Sequence, residues 1–265
     1  MNGSTTRLNL IGIGTGNPEH LTREAIRVLN AAALVLIPRK GPDKADLAEL
    51  RRAICAEVQT NPAMRIVEFD MPVRDAANPD YRAGVEDWHA AIAARWAEAI
   101  RRELPEGGEV ALLVWGDPSL YDSTLRIAAK LGVETRVIPG ITAIQALTAA
   151  HGVALNEIGA PFIVTTGRRL REQGWPAAAD TLVVMLDGGC AFQSLPPEGV
   201  DIWWGAYLGM KEQIIEAGPL AVTGSRIMAR RAAARAAHGW IMDIYMLRRR
   251  GDQEPPSATR ISNSS

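Results

Sequence analysis

The residues that first suggest chemistry are the glycines of the segment "GIGTGNP", at Gly12, Gly14 and Gly16. They follow a short apolar run, Leu8 to Ile13, the place where an α/β fold presents a loop to a nucleotide or another anion. A dinucleotide fingerprint needs a third glycine at position 17, so that the following helix can pack closely on its strand. Asn17 stands there, and Pro18 and Leu21 delay the helix. The spacing therefore argues against a nicotinamide cofactor and leaves two readings, a ligand loop or a glycine turn of purely structural purpose. The remaining reactive side chains form no Ser/His/Asp or Cys/His constellation. Cys55 and Cys190 lack a CxxC partner, and no His/Cys cluster has metal-ligand spacing, so neither a disulfide framework nor a metal site is expected and both thiols read as inert.

Charge narrows the partners. A formal net charge of -1 lacks the cationic excess that general nucleic-acid binding requires. Of the 29 basic residues, all but Lys40, Lys44, Lys130 and Lys211 are arginine. The planar guanidinium suits bidentate carboxylate recognition, although a compositional bias toward Arg and Ala gives the same count.

Positioning such loops falls to an alternating set of elements. Strands are predicted at Leu8 to Ile13, Ala33 to Ile37, Met64 to Phe69, Val110 to Trp115 and Val133 to Ile138. Helices are predicted between them at Leu21 to Ala32, Asp46 to Val58, Pro79 to Leu104 and Leu120 to Leu131. The long third helix carries Tyr81, Val85, Trp88, Ile92, Trp96 and Ala99 on one face. Alternation of this kind implies a mostly parallel sheet covered on both faces. After "PGITAIQALTAA" and a helix from Thr142 to Ala150, strands become denser: Phe162 to Thr166, Thr181 to Leu186, Asp201 to Ala206, Glu212 to Ala217 and Trp240 to Leu247, with a helix at Ser225 to Ala237. The expectation is an α/β protein of two domains, 1–140 with a mostly parallel sheet and 141–250 with a mixed one, followed by a disordered polar tail at 251–265. Apolar runs such as Ala31 to Ile37 are far shorter than the roughly 20 residues of a membrane helix. With no basic-then-apolar leader at the N-terminus, the chain reads as soluble and cytoplasmic.

Four segments in order, "IGIGTGNPEHLT", "VWGDPSLYDST", "VIPGITAIQAL" and "TLVVMLDG", resemble the signatures of the tetrapyrrole methylases. Each alone is weak, but their order across two domains is specific. "MPVRDAANPDYRAGVEDWHAAIAA", "TTGRRL" and "WWGAYLG" extend the likeness to a subgroup that methylates a corrin precursor. The resemblance implies two α/β domains of the class III methyltransferase type, S-adenosyl-L-methionine in the inter-domain cleft, and a homodimer. It implies donor contacts from Gly116, Asp117 and Leu120, from Thr142 and Ala143, and from Leu186, Tyr207, Leu208 and Trp240. The family's Tyr-Met pair reads Met185-Leu186 here, which alters the adenine contact, and Thr15 replaces a usual proline. Asp117, with Ser119, also fits a plain turn or cap, and Thr142 fits an N-cap.

The implied acceptor is precorrin-5, a macrocycle bearing many carboxylates. Gly14 and Thr15 are expected to face it, and Arg74, Arg168 and Arg169 to bind its acidic groups, against the alternative of solvated surface arginines. The subgroup couples methylation at ring carbon 1 to loss of an acetyl group as acetate, which calls for water, a base and stabilised negative charge. Asp122, Tyr121 and His89 are the candidates, with His89 also readable as a structural histidine and Asp122 as a cap. Rival readings are a diphthine synthase or ribosomal-RNA methylase of the same fold, and a binding module without turnover.

Overall fold

The computed structural model describes residues 5–39, 45–75 and 80–250. The expected tail at 251–265 and Pro79, the expected start of the long helix, lie outside the described residues. The chain divides into two compact units, Met1–Thr142 and Ala143–Ser265.

The first unit runs β1 (Arg7–Gly12), α1 (Arg23–Ala31), β2 (Leu34–Arg39), α2 (Ala45–Val58), β3 (Arg65–Asp70), α3 (Tyr81–Glu103), β4 (Glu109–Val114), α4 (Thr124–Ala128) and β5 (Glu134–Ile138). Its five strands are all parallel, in the order β3-β2-β4-β1-β5. Central strands read as continuous apolar runs because both faces are covered. Leu8 and Leu10 of β1 pack with α3 and α4, while Ile11 and the following Ile13 pack with α1 and α2. The connections leaving β1 and β4 thus diverge to opposite faces. In an open parallel sheet, a crevice for ligand forms at the carboxyl ends of such a strand pair. Local chemistry agrees with these elements: the Thr22 hydroxyl caps α1 by accepting from Ala25 N at 3.0 Å, and Asp80 caps α3 by accepting from Arg82 N and Ala83 N.

The second unit runs α5 (Ala143–His151), β6 (Phe162–Thr166), α6 (Gly167–Gln173), β7 (Thr181–Met185), β8 (Val200–Ala206), β9 (Ile214–Pro219), α7 (Leu220–His238) and β10 (Asp243–Arg249). The strand order is β6-β7-β10-β8-β9, with only β6 and β7 parallel. Its core is aromatic, built around Trp204, Tyr207, Tyr245 and Phe192, the last two edge-to-face with ring centroids 5.3 Å apart.

Some bounds shift, α7 starting at Leu220 and not Ser225, and β9 covering Ile214–Pro219 and not Glu212 to Ala217; three further differences bear on the candidate site. The helix expected at Leu120 to Leu131 is only α4, because Asp117 and Asp122 side chains capture the backbone N–H groups of Ser119 and Thr124, at 2.8 and 2.6 Å. Tyr121 between them takes a left-handed φ of 50°. Helix α6 was not expected; it is seven residues long and begins at a glycine, with Thr166 accepting from Arg169 N as its cap. Trp240 does not begin the last strand. Gly239 ends α7 in a left-handed conformation, Trp240 lies in the connection, and β10 starts at Asp243.

Candidate functional site

In the first unit, the loops after β1, β4 and β5 meet at the carboxyl edge of the sheet in a cluster of glycines. Gly14 and Gly116 exchange backbone hydrogen bonds, Gly14 N to Gly116 O at 3.3 Å and Gly116 N to Gly14 O at 2.8 Å. Both have positive φ, which glycine adopts without strain. A Cβ on Gly12 would lie 2.6 Å from Gly140 N, and one on Gly140 would lie 2.1 Å from Gly116 O. No side chain fits at either position. Asp117 locks the junction: its Oδ2 accepts from Gly140 N at 2.9 Å, and its Oδ1 accepts from Ser119 N and Ser119 Oγ at 2.8 and 2.5 Å. Burial pushes this carboxyl up, but the hydrogen bonds from Ser119 and Gly140 outweigh it and hold the group below the usual carboxylate range. Asp117 therefore does the work of a turn residue whatever else it touches.

Around this junction Thr15 is buried, and its hydroxyl has no partner among the described residues; the same is true of His20 Nδ1. Leaving a buried polar group unbonded costs about 1–3 kcal/mol. Water or a polar ligand group would relieve that cost. Leu120, Asp122 and Thr142 are half-buried, and Tyr121 is exposed. Thr142 lies directly behind Gly116, its Cα 3.9 Å from where a Cβ would sit.

Arg51 of α2, absent from the sequence expectations, supports the same edge. Its Nε donates to Leu113 O and its Nη1 to Leu47 O, both at 3.0 Å, and its guanidinium lies 5.8 Å from the Trp115 ring centroid. Burial pulls Arg51 down to about 10, with Asp122 opposing, so it stays charged at neutral pH. Two expected residues lie elsewhere. His89 is buried in the α3–α4 packing beside Trp88, and burial lowers its pKa, with Glu86, Arg126 and Lys130 as its charged neighbours. Arg74 follows β3, the edge strand two places from β4.

In the second unit, Leu186 at the end of β7 has a left-handed φ of 52° and is 66% exposed. An apolar side chain held outward on strained backbone is the kind of feature that ligand sites retain. The pairing of Thr166 with Met185 brings the start of α6, which carries the exposed Arg168 and Arg169, to the same end of the sheet as Leu186. Tyr207 and Leu208 are buried. The Tyr207 hydroxyl donates to Trp240 O at 2.5 Å, and its ring packs edge-on against half-buried Trp240. As placed, these two side chains belong to the core of the unit, and the Tyr207 backbone, at φ 50°, donates to Met242 O at 3.0 Å and accepts from Met210 N at 2.9 Å. Ala143 opens α5. Both cysteines are buried and free; burial pushes the Cys55 thiol up to about 11 and raises that of Cys190, as inert thiols require. No cluster of potential metal ligands exists among the described residues.

Comparison with known proteins gives a consistent picture. The family model of the tetrapyrrole (corrin/porphyrin) methylases matches residues 7–223. A precorrin-6A synthase [deacetylating] from Sinorhizobium sp is 49% identical over 252 residues, covering 93% of this chain and 96% of the relative. Among solved structures, a cobalamin synthesis related protein (CobF) from Corynebacterium diphtheriae superposes with a TM-score of 0.78 at 41% identity, covering 92% and 99% of the two chains. A uroporphyrin-III C-methyl transferase from Thermus thermophilus, complexed with S-adenyl homocysteine, shares the fold at a TM-score of 0.54 and 20% identity, covering 91% and 96%.

Proposed function

Because the chain belongs to the tetrapyrrole (corrin/porphyrin) methylases, we propose that it is an S-adenosylmethionine-dependent C-methyltransferase of cobalamin biosynthesis. It converts precorrin-5 to precorrin-6A, methylating ring carbon 1 with release of acetate. The observation that carries this reading is 49% identity, over 93% of the chain, to a precorrin-6A synthase [deacetylating]. We add a cytoplasmic setting, a homodimer, and no metal, membrane or nucleic acid; the near-neutral charge balance supports the last.

The residues present suit the donor. A glycine junction that admits no Cβ leaves backbone groups as the lining of the loops, and an exposed leucine offers an apolar face for an adenine ring. S-adenosylmethionine, when bound, supplies an electrophilic methyl group on a sulfonium. The chain's own task is alignment and exclusion of water, worth up to about 7–11 kcal/mol in favourable cases. Gly116, Asp117, Leu120, Thr142 and Ala143 hold the donor, Leu186 packs on its adenine, and Tyr207, Leu208 and Trp240 give further contacts. Gly14 and Thr15 face the macrocycle, the unbonded Thr15 hydroxyl being free to receive one of its polar groups. Arg74, Arg168 and Arg169 take its carboxylates.

Acetate release needs a base. Water adds to the acetyl carbonyl, the carbon–carbon bond to the ring breaks, and its electron pair returns to the macrocycle. Asp122 takes the proton of the attacking water, and Tyr121 donates to the oxygen that gains charge. His89, enclosed by α3 and α4, is left a structural part.

Purified protein mixed with labelled methyl donor and precorrin-5 should place label in the macrocycle and release acetate. Donor binding without transfer to any tetrapyrrole would instead favour a binding module. Asp122→Asn should bind S-adenosylhomocysteine normally while slowing acetate release by about 10²-fold or more, as loss of a general base does. Undiminished acetate release would remove Asp122 from the mechanism.

A further inference from the structure

Asp187 is a buried carboxylate without an assigned role, and it stands next to the exposed Leu186. Its Oδ1 accepts from Arg171 Nη1 at 2.8 Å and Gly189 N at 3.1 Å, and its Oδ2 accepts from Ala191 N at 2.5 Å and Tyr245 OH at 2.7 Å. Arg231 Nη2, itself paired with Asp243, donates to the Asp187 carbonyl at 3.2 Å. The side chain also lies against Gly167 at the start of α6, where an added Cβ would come within 2.2 Å of its Cγ. One carboxylate thus ties together the end of β7, the turn 188–191, helix α6 and strand β10.

The turn that it closes is strained at both ends. Leu186 and Cys190 have φ of 52° and 54°, a left-handed conformation that crowds Cβ against the following carbonyl oxygen. Such backbone persists only where its surroundings over-determine it. Here the over-determination comes from four donors converging on Asp187. Burial works against ionisation of this group, but the bonds from Ala191, Tyr245, Gly189 and Arg171 outweigh it, so the carboxyl stays charged well into acid.

We infer that Asp187 is a positioning residue: by closing the 186–191 turn and clamping the start of α6, it holds Leu186 outward for the methyl donor and sets the Arg168–Arg169 pair at the same end of the sheet. This rests on the reading of Leu186 as a donor contact. Nothing in the fold alone demands a charge here, since a turn with glycine at both 186 and 190 would carry no such strain. The strained leucine is what needs the carboxylate.

The test is direct because both oxygens accept from two donors each. An amide placed at either oxygen sets its NH2 against existing donors, so Asp187→Asn disrupts the network with little change in volume. Binding of S-adenosylhomocysteine is measured by calorimetry on the full chain, at a temperature where circular dichroism shows each variant folded. Asp187→Asn should weaken binding about tenfold or more, and Tyr245→Phe and Arg171→Ala, each removing one donor, about two- to fivefold. In turnover assays the donor KM should rise while kcat at saturating donor stays within about twofold. Folded Asp187→Asn that binds with wild-type affinity overturns the proposal. Should that variant fail to fold, Tyr245→Phe and Arg171→Ala decide, and wild-type affinity in both, with lowered melting temperatures, would reduce Asp187 to a structural role. A wild-type chain that takes up no S-adenosylhomocysteine overturns the functional reading itself, and this inference with it.

Discussion

At the scale of single residues, the site in the first unit is defined by what is missing. Gly12 and Gly140 approach each other and Gly116 so closely that a methyl group would meet backbone atoms at 2.1 to 2.8 Å. Backbone, unlike the tip of a long side chain, has little room to give. Gly140→Ala should therefore destabilise the protein by at least about 1–3 kcal/mol, the usual cost of overpacking, and should also weaken S-adenosylhomocysteine binding. Urea denaturation and calorimetry on the same sample measure the two effects; a variant as stable as the parent would show that the loops separate easily. The glycines of "GIGTGNP" were visible in the sequence, but their purpose was not. Spacing excluded one ligand class, whereas the choice between ligand loop and structural turn turned on contacts with positions 116 and 140, more than a hundred residues away.

At the scale of elements, the carboxyl end of β4 depends on a helix that carries none of the recognisable motifs. β2 pairs with β4 only as far as Leu112, while β1 runs alongside to Val114. Just past the end of the β2 pairing, Arg51 of α2 donates to the Leu113 carbonyl. Arg51→Ala would leave that buried carbonyl unbonded and strip the Trp115 ring of its cover, a loss of about 1–3 kcal/mol. Lysine should not restore it, because one ammonium cannot reproduce a fork that serves two carbonyls. Chemical denaturation of both variants checks this, and full rescue by lysine would show that charge alone matters. No sequence signal marked Arg51 among so many arginines. The short α4 and the unexpected α6 have the same origin: side-chain carboxylates and a threonine hydroxyl capture local N–H groups, and a hydrophobic period reads through such captures without registering them.

At the scale of the whole molecule, each unit has its own core, two clusters flanking the parallel sheet in the first and one aromatic-rich cluster in the second. A ligand that binds only folded protein stabilises it by mass action, by about 2.7 kcal/mol at a hundred times its dissociation constant. For a chain of this size that amounts to a rise of roughly 5–10 °C in melting temperature. Differential scanning calorimetry with and without S-adenosylhomocysteine checks the figure, and no shift at saturating ligand would count against donor binding. The sequence by itself determined the α/β class, the alternation that builds the parallel sheet, the denser strands of the second half and the family to which the motifs point. Those features are written in local periodicity and in short contiguous segments, which a chain displays before it folds. Only the tertiary structure decided that Gly12, Gly116 and Gly140 close one junction, that Tyr207 faces inward, and that Asp187 and Arg51 hold the strained and exposed parts in place. Hydrogen bonds and steric contacts between residues remote in sequence leave no periodic trace, and they exist only once the sheet has brought its carboxyl ends together.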